Sequence, residues 1–171
     1  PPGVGKTTLA NIIANTLQAP FYKLSAINSG VKDVREVIDK AKNSRFFEAA
    51  APILFIDEIH RFSKSQQDSL LHAVETGTIT LIGATTENPS FEVIRPLLSR
   101  CQVYVLKPMD VKDLQVLMHR ALKEDIILKE KDIEIEETDA LFRFSGGDAR
   151  KLLNILELVI AAEETDEKIV V

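Results

Sequence analysis

Pro1-Pro2-Gly3-Val4-Gly5-Lys6-Thr7-Thr8 opens the chain, and its reading decides how everything after it is organised. It matches the phosphate-binding pattern G-x-x-x-x-G-K-[ST] apart from the first glycine. Gly3 and Gly5 let the backbone turn tightly and bring its N–H groups towards phosphate oxygens. Lys6 is of the type and spacing that reaches the β- and γ-phosphates of ATP, and the Thr7 hydroxyl is the expected Mg²⁺ ligand. Pro2, Val4 and Thr8 complete the cradle. The following residues predict a helix from Gly5 to Gln18, ended before Pro20, with Leu9, Ile12, Ile13 and Leu17 on an apolar stripe. Its positive end is expected to face the same phosphates. An ordinary Gly/Pro turn ahead of a helix is the plainer alternative, and the complete G-x-G-K-T-T run argues against it.

The 171 residues are enough for one compact domain with a small satellite. A hydrophobic content of 45% with 27% charged residues is that of a globular chain. Lys and Arg number 21 against 26 Asp and Glu, a net charge of −5, so any nucleic-acid contact must be local. One cysteine and three histidines exclude a disulfide framework and argue against a zinc site, which suits a reducing cytosol. No apolar run approaches the ~20 residues of a membrane span, so no membrane partner is expected. The expected location is the cytoplasm, in association with the nucleoid.

Working outward, Phe21–Ser25 reads as a short strand. Val31, Val34, Val37, Ile38 and Ala41 repeat at helical spacing through a charged segment to about Glu48. Pro52-Ile53-Leu54-Phe55-Ile56-Asp57 is a continuous apolar run closed by an acid, as in a buried parallel strand. Ser63 to Glu75 predicts a helix with Ser63 as N-cap and Gly77 as its stop. Ile79–Ala84 predicts a second buried strand and Gln102–Leu106 a third. Strands alternating with helices define an α/β fold with a parallel sheet covered on both faces. Past Lys107-Pro108 only helices are expected, at about 111–124, 137–145 and 148–163. Phe142, Leu152, Leu153, Ile155, Leu156 and Val159 are their candidate core. The resulting division is a nucleotide-binding core over 1–107 and a helical lid over 108–171.

Leu54-Phe55-Ile56-Asp57-Glu58 answers the phosphate loop. Four apolar residues bury the strand and deliver two carboxylates to its C-terminal edge, where open α/β sheets bind ligands. Asp57 is the expected second protein contact to Mg²⁺, through water, and Glu58 the group that polarises the water attacking the γ-phosphate.

Pro1–Ala10 together with Leu54–Glu58 resembles the AAA+ ATPases. Ser29-Gly30-Val31-Lys32, Arg61-Phe62-Ser63-Lys64-Ser65-Gln66-Gln67-Asp68 and Gly83-Ala84-Thr85-Thr86-Glu87-Asn88-Pro89-Ser90-Phe91-Glu92 narrow the likeness. They resemble the replication-associated recombination protein A family (RarA, or MgsA), whose eukaryotic relatives are the Werner-helicase-interacting proteins. The resemblance covers nearly the whole chain and implies an AAA+ P-loop core followed by a small all-α lid. It also implies a DNA-dependent ATPase that remodels DNA or protein–DNA complexes at stalled forks and gaps. Within that pattern Thr86 matches sensor 1, with Asn88 as runner-up, and Ser99-Arg100-Cys101 matches the S-R-C motif. Arg100 is thereby implied as an arginine finger acting on a neighbouring subunit of a homo-oligomer. Gly147-Asp148-Ala149-Arg150 resembles sensor 2, with Asp148 as N-cap and Arg150 reaching the γ-phosphate from the lid.

Some residues favour plainer readings. Arg95 is taken as a surface charge, Cys101 as a small buried hydrophobe, and His60 as a wall or relay residue rather than the base. Lys32, Arg35, Arg61 and Lys64 are candidate DNA-phosphate contacts. The acids interleaved with the first two, Asp33, Glu36 and Asp39, favour a solvated charged face there. A clamp-loader-type subunit and an inactive nucleotide-binding scaffold are the rival functions, and a single-strand-binding protein is a further partner to consider. The resemblance places another strand just ahead of the loop. Without it the expectation is that Gln102–Leu106 closes the sheet, that another chain does, or that an edge stays open, and that residues 1–171 alone turn over little ATP.

Overall fold

The computed structural model describes residues 1–44, 50–131, 133–162 and 169–170. These fall into two compact units. One comprises Lys6–Tyr104; the other joins Pro1–Gly5 to Val105–Val171.

The first unit is built on a parallel sheet of three strands, β1 (Phe21–Ser25), β2 (Ile53–Asp57) and β3 (Thr80–Gly83), in that order. Phe21 pairs with Ile53 and Ser25 with Asp57, while Ile53 pairs with Thr80 and Ile56 with Gly83. The central strand is the run of four apolar residues, each essentially removed from solvent. Alternation divides them between two faces. Leu54 and Ile56 pack with Val34, Ile38 and Ala41 of α2 (Val31–Ser44) and with Leu70 and Ala73 of α3 (Lys64–Glu75). Phe55 on the other face meets Ala10 of α1 (Lys6–Leu17), along with Ala84, Phe21 and Ile82. The Phe21 and Phe55 rings lie 6.1 Å apart and nearly parallel.

The α1 stripe is corrected. Leu9, Ile12, Ile13 and Leu17 are 37–58% exposed, whereas Ala10 and Ala14, one turn apart, are buried. Small side chains let the helix axis approach the sheet closely, so the alanine face turns inward. The expected helix to about Glu48 is seen as α2 through Ser44, and its remainder lies outside the described residues.

Ser63 caps α3 as the sequence predicts. Its hydroxyl accepts from the Gln66 N–H at 3.3 Å, and the Gln66 side chain accepts from the Ser63 N–H at 2.8 Å, a capping box. Beyond β3, two short helical turns follow, α4 (Pro89–Glu92) and α5 (Arg95–Leu98).

Two strand expectations change. β3 is shorter than Ile79–Ala84, and its central Leu81 and Ile82 are half-buried rather than enclosed, because it lies at the edge of the sheet. Gln102–Leu106 forms no strand; Tyr104 is 80% and Val105 86% exposed. A strand needs a neighbour to take its N–H and C=O groups, and residues 102–106 pair with none among the described residues. Closure of the sheet by residues 102–106 is therefore ruled out among the described residues.

The second unit has α6 (Val111–Glu124), α7 (Asp139–Ser145) and α8 (Ala149–Ala162). Leu114 and Met118 of α6, Leu141 and Phe142 of α7, and Leu152, Leu156 and Ile160 of α8 form its core, with Ile155 and Val159 partly buried against it. Leu153 is half-buried and stands outside this cluster. The expectation of helices alone is corrected by a short parallel pair, β4 (Ile133–Glu134) with β5 (Ile169–Val170). Two-residue strands leave no periodic trace to read. Asp110 caps α6 through the Asp113 N–H at 2.8 Å, and Asp148 caps α8 through the Lys151 N–H at 3.0 Å. Gly147, at φ 82°, donates no side chain to a crowded turn. A Cβ there would sit 2.6 Å from Pro108 Cβ and 2.9 Å from the Met109 carbonyl.

Candidate nucleotide site

The acid pair stands where the apolar run places it, at the C-terminal end of the central strand. Ala26 N–H donates to the Asp57 carbonyl at 3.1 Å, Ala84 N–H to the Ile56 carbonyl and Ile59 N–H to the Ala84 carbonyl, both at 2.9 Å. These bonds tie the strand end to both neighbours. Between them Glu58 takes a left-handed conformation, φ 54° and ψ 47°. That region is uncommon for a residue with a Cβ and costs energy. A single 3₁₀ turn, Ile59–Arg61, follows and buries Ile59.

The Glu58 carboxylate has two partners on the same oxygen. Thr86 Oγ1 donates to Oε2 at 3.3 Å, and His60 Nδ1 lies 3.2 Å from it. His60 Nδ1 is also 2.9 Å from Thr85 Oγ1. Thr85 in turn accepts the Glu87 N–H at 3.0 Å. The sensor-1 candidate and the candidate base are therefore joined across 28 positions of sequence. Asn88, the runner-up, is engaged elsewhere: its side chain accepts from the Ser90 N–H at 3.0 Å and caps α4.

Lys6 and Thr7 are in the first turn of α1, half-buried, with Thr8 exposed. Pro2, Gly3, Val4 and Gly5 are grouped with the helical unit, where the Ala149 N–H donates to the Gly3 carbonyl at 3.1 Å. Gly3 has φ 61°, and a Cβ added to it would overlap the Asp148 carboxylate. Arg150 lies one residue beyond Ala149, exposed in the first turn of α8.

Arg100 is not part of the acid-pair cluster. Its guanidinium donates to the Pro96 carbonyl at 2.7 Å and to Ser99 Oγ at 3.3 Å, and pairs with Glu75 Oε1 at 2.6 Å. Arg95 is exposed at the start of α5. Cys101 packs half-buried against the main core, and that burial pushes its thiol above the usual range. It stays protonated and unreactive at neutral pH.

Sequence reasoning missed the buried polar residues Gln67, Thr78 and Ser145, of which Gln67 joins elements. Gln67 is almost wholly enclosed; its amide donates to the carbonyls of Phe62 at 3.0 Å and Glu92 at 3.1 Å, and its oxygen accepts the Ile94 N–H at 2.9 Å. It thereby ties α3 to the segment between sensor and finger candidates. The signal was present: Gln67 occupies an inward position of the α3 pattern continued by Leu70, Leu71 and Val74. Thr85 was overlooked for its neighbour Thr86.

A parallel sheet with helices on both faces, a G-K-T sequence opening the first helix and an acid pair ending the central strand define a P-loop-type α/β protein. Comparison with known proteins narrows this. The sequence model of the ATPase family associated with various cellular activities (AAA) matches residues 1–109, and the chain belongs to that family. It is 46% identical over 175 residues to the replication-associated recombination protein A of Haemophilus influenzae, covering 97% of this chain and 38% of that protein. It is 47% identical over 169 residues to the ATPase WRNIP1 of Dictyostelium discoideum, covering 98% of this chain and 19% of that protein. The RuvB Holliday junction branch migration motor of Thermotoga maritima superposes with a TM-score of 0.75 at 30% identity, over 99% of this chain and 55% of that one. The resemblance read from the motifs is thus borne out, and the chain spans well under half the length of the two sequence relatives. Among the described residues no helix is long and apolar enough to cross a membrane.

Proposed function

We propose that the full-length protein carrying this chain is a DNA-dependent AAA+ ATPase of replication-fork maintenance and recombination. The observation that carries this reading is the Thr86–Glu58 hydrogen bond, which unites two motifs at the end of the central strand. In this reading Lys6 and the backbone of the loop bind the ATP phosphates, Glu58 takes the proton of the attacking water, and Thr86 holds Glu58 and senses the γ-phosphate. Arg150 approaches from the lid, and Arg100 acts in trans within a homo-oligomer.

The donor set fits Mg²⁺. Thr7 and Asp57 offer hard oxygens, and no group of three or more His, Cys, Asp or Glu side chains able to hold a metal occurs among the described residues. Mg²⁺ in such sites is held by one or two protein oxygens together with substrate phosphates, and it neutralises phosphate charge.

DNA forks, gaps and single-strand/duplex junctions are the proposed nucleic-acid partners, with a single-strand-binding protein as the proposed protein partner and the cytoplasm, near the nucleoid, as the proposed location. Supporting this, Gln66 Nε2 donates to the Ser29 carbonyl at 2.8 Å, drawing the start of α3 to the loop ahead of α2. Lys32, Arg35, Arg61 and Lys64, all exposed, cluster around these two helix starts. All three interleaved acids are occupied locally: Asp33 accepts the Gly30 N–H, Glu36 pairs with Lys32, itself one of the four candidates, and Asp39 pairs with Lys42. The core over 1–107 and the lid over 108–171 remain the proposed functional division, and residues 1–171 alone are expected to turn over little ATP.

The test is Glu58→Gln in the full-length protein. ATP binding should persist while hydrolysis falls by about 100-fold or more, the usual worth of a general base. Continued turnover would show that the base is another residue.

A further inference from the structure

His60 stands three residues beyond the acid-pair aspartate with a side chain only 14% exposed, yet its ring is not packed as a simple apolar wall. Nδ1 faces two oxygens at once, Glu58 Oε2 at 3.2 Å and Thr85 Oγ1 at 2.9 Å. An ionised carboxylate only accepts hydrogen bonds, so the contact is favourable only when Nδ1 carries the hydrogen. That assignment makes Nδ1–H a shared donor to both oxygens. Thr85 cannot drift away from the ring, because its hydroxyl oxygen is anchored by the Glu87 N–H.

Both side-chain contacts to Glu58, from His60 and from Thr86, fall on Oε2. Among the described residues Oε1 has no hydrogen-bond partner. The backbone adds a further constraint: the left-handed Glu58 is held by the Ile59 N–H bond to Ala84. A carboxylate clamped through one oxygen presents the other in a single direction.

We infer that His60 is a positioning residue for Glu58. Through Nδ1–H, and with its ring set by Thr85, it holds Oε2 so that Oε1 points to the water the carboxylate deprotonates. Thr85 and Thr86 then have different duties although they are adjacent: Thr86 touches the base directly, and Thr85 acts through the imidazole. This inference rests on the reading of Glu58 as general base.

The experiment uses the full-length protein and measures ATP affinity separately from turnover. Asn places an amide N–H near the position of Nδ1, so His60→Asn should retain most activity, whereas His60→Ala should lose about 10- to 100-fold in kcat with ATP affinity nearly unchanged, as expected when a reacting group is misdirected rather than removed. Thr85→Ser should behave as wild type and Thr85→Val should fall in kcat alone. Thr85→Val keeps the ring and the side-chain volume, so it decides the matter if His60→Ala folds poorly. Wild-type kcat in His60→Ala or in Thr85→Val overturns the inference, as does His60→Asn being as slow as His60→Ala. Glu58→Gln runs alongside: if it still hydrolyses ATP, the base assignment itself is wrong, and if it is inactive while Thr85→Val is normal, only the role of His60 falls.

Discussion

Glu58 holds a left-handed backbone that a residue with a side chain adopts at a cost of roughly 1–2 kcal/mol. Its neighbours allow no simple escape, since Ile56 and Ile59 are both bonded to Ala84. The strained position therefore coincides with the candidate base, where strain is tolerated if the side chain has a task. Glu58→Gly should relieve the backbone while removing the carboxylate. The expected outcome is a melting temperature equal to or above that of the parent, a gain of up to about 1 kcal/mol, together with lost hydrolysis. A lower melting temperature would mean that the contacts to His60 and Thr86 outweigh the strain. At this scale the sequence showed the acids, because an acid pair after an apolar run is a local pattern. Thr86 comes from the family resemblance, and His60 reads there as a wall or relay residue. The sequence did not show that Thr85 belongs with them.

Between elements, the connection that stands out is Gln67. One buried amide satisfies Phe62 and Glu92 carbonyls and the Ile94 N–H, binding α3 to the chain between α4 and α5. Gln67→Leu keeps similar volume and leaves those three backbone groups without their partner. The expected loss is about 2–4 kcal/mol, from several unsatisfied groups at 1–3 kcal/mol each with partial rehydration, measurable by denaturant unfolding. The Ile94 amide should also exchange hydrogen faster. A loss below about 0.5 kcal/mol would show that water replaces the side chain easily. The helices and the central strand were legible from periodicity and caps. The α1 orientation was not, because hydrophobicity ranks Leu and Ile above Ala, whereas close packing on the sheet selects Ala10 and Ala14. The misread segment 102–106 has strand-like Val103 and Val105, but local sequence carries no information on whether a neighbour is available to pair.

Over these 171 residues the net charge is −5, so the proposed DNA attraction has to come from a patch. Arg61 and Lys64 are both exposed and flank the start of α3, whose helix-dipole end adds to the positive potential. In the full-length protein, reversing both with Arg61→Glu and Lys64→Glu should lower DNA stimulation of hydrolysis by about 10-fold or more at moderate salt, with basal hydrolysis retained. Unchanged stimulation on forked, gapped and blunt DNA would remove these residues from the DNA surface. The Arg100–Glu75 ion pair belongs to this scale too. Both side chains are about two-fifths exposed, so the pair contributes little to stability and does not prevent the guanidinium from reaching another partner.

The sequence by itself determined the chemistry on offer: a G-x-G-K-T-T run, an apolar strand ending in Asp57-Glu58, a capped helix from Ser63, and the motifs shared with the family. Each is a pattern of neighbours within a few residues, and backbone periodicity carries it directly into structure. Only the tertiary structure decided which of those groups meet. The Thr86 bond to Glu58 and the Thr85 bond to His60 depend on the register of β2 against β3, which sets Ile56 opposite Gly83 and so brings the two strand ends level. The enclosure of Gln67 and the outward turn of Leu9 and Ile12 are likewise consequences of packing distance. Hydrogen bonds and close contacts act over a few ångströms in space, and separation along the chain does not report that distance.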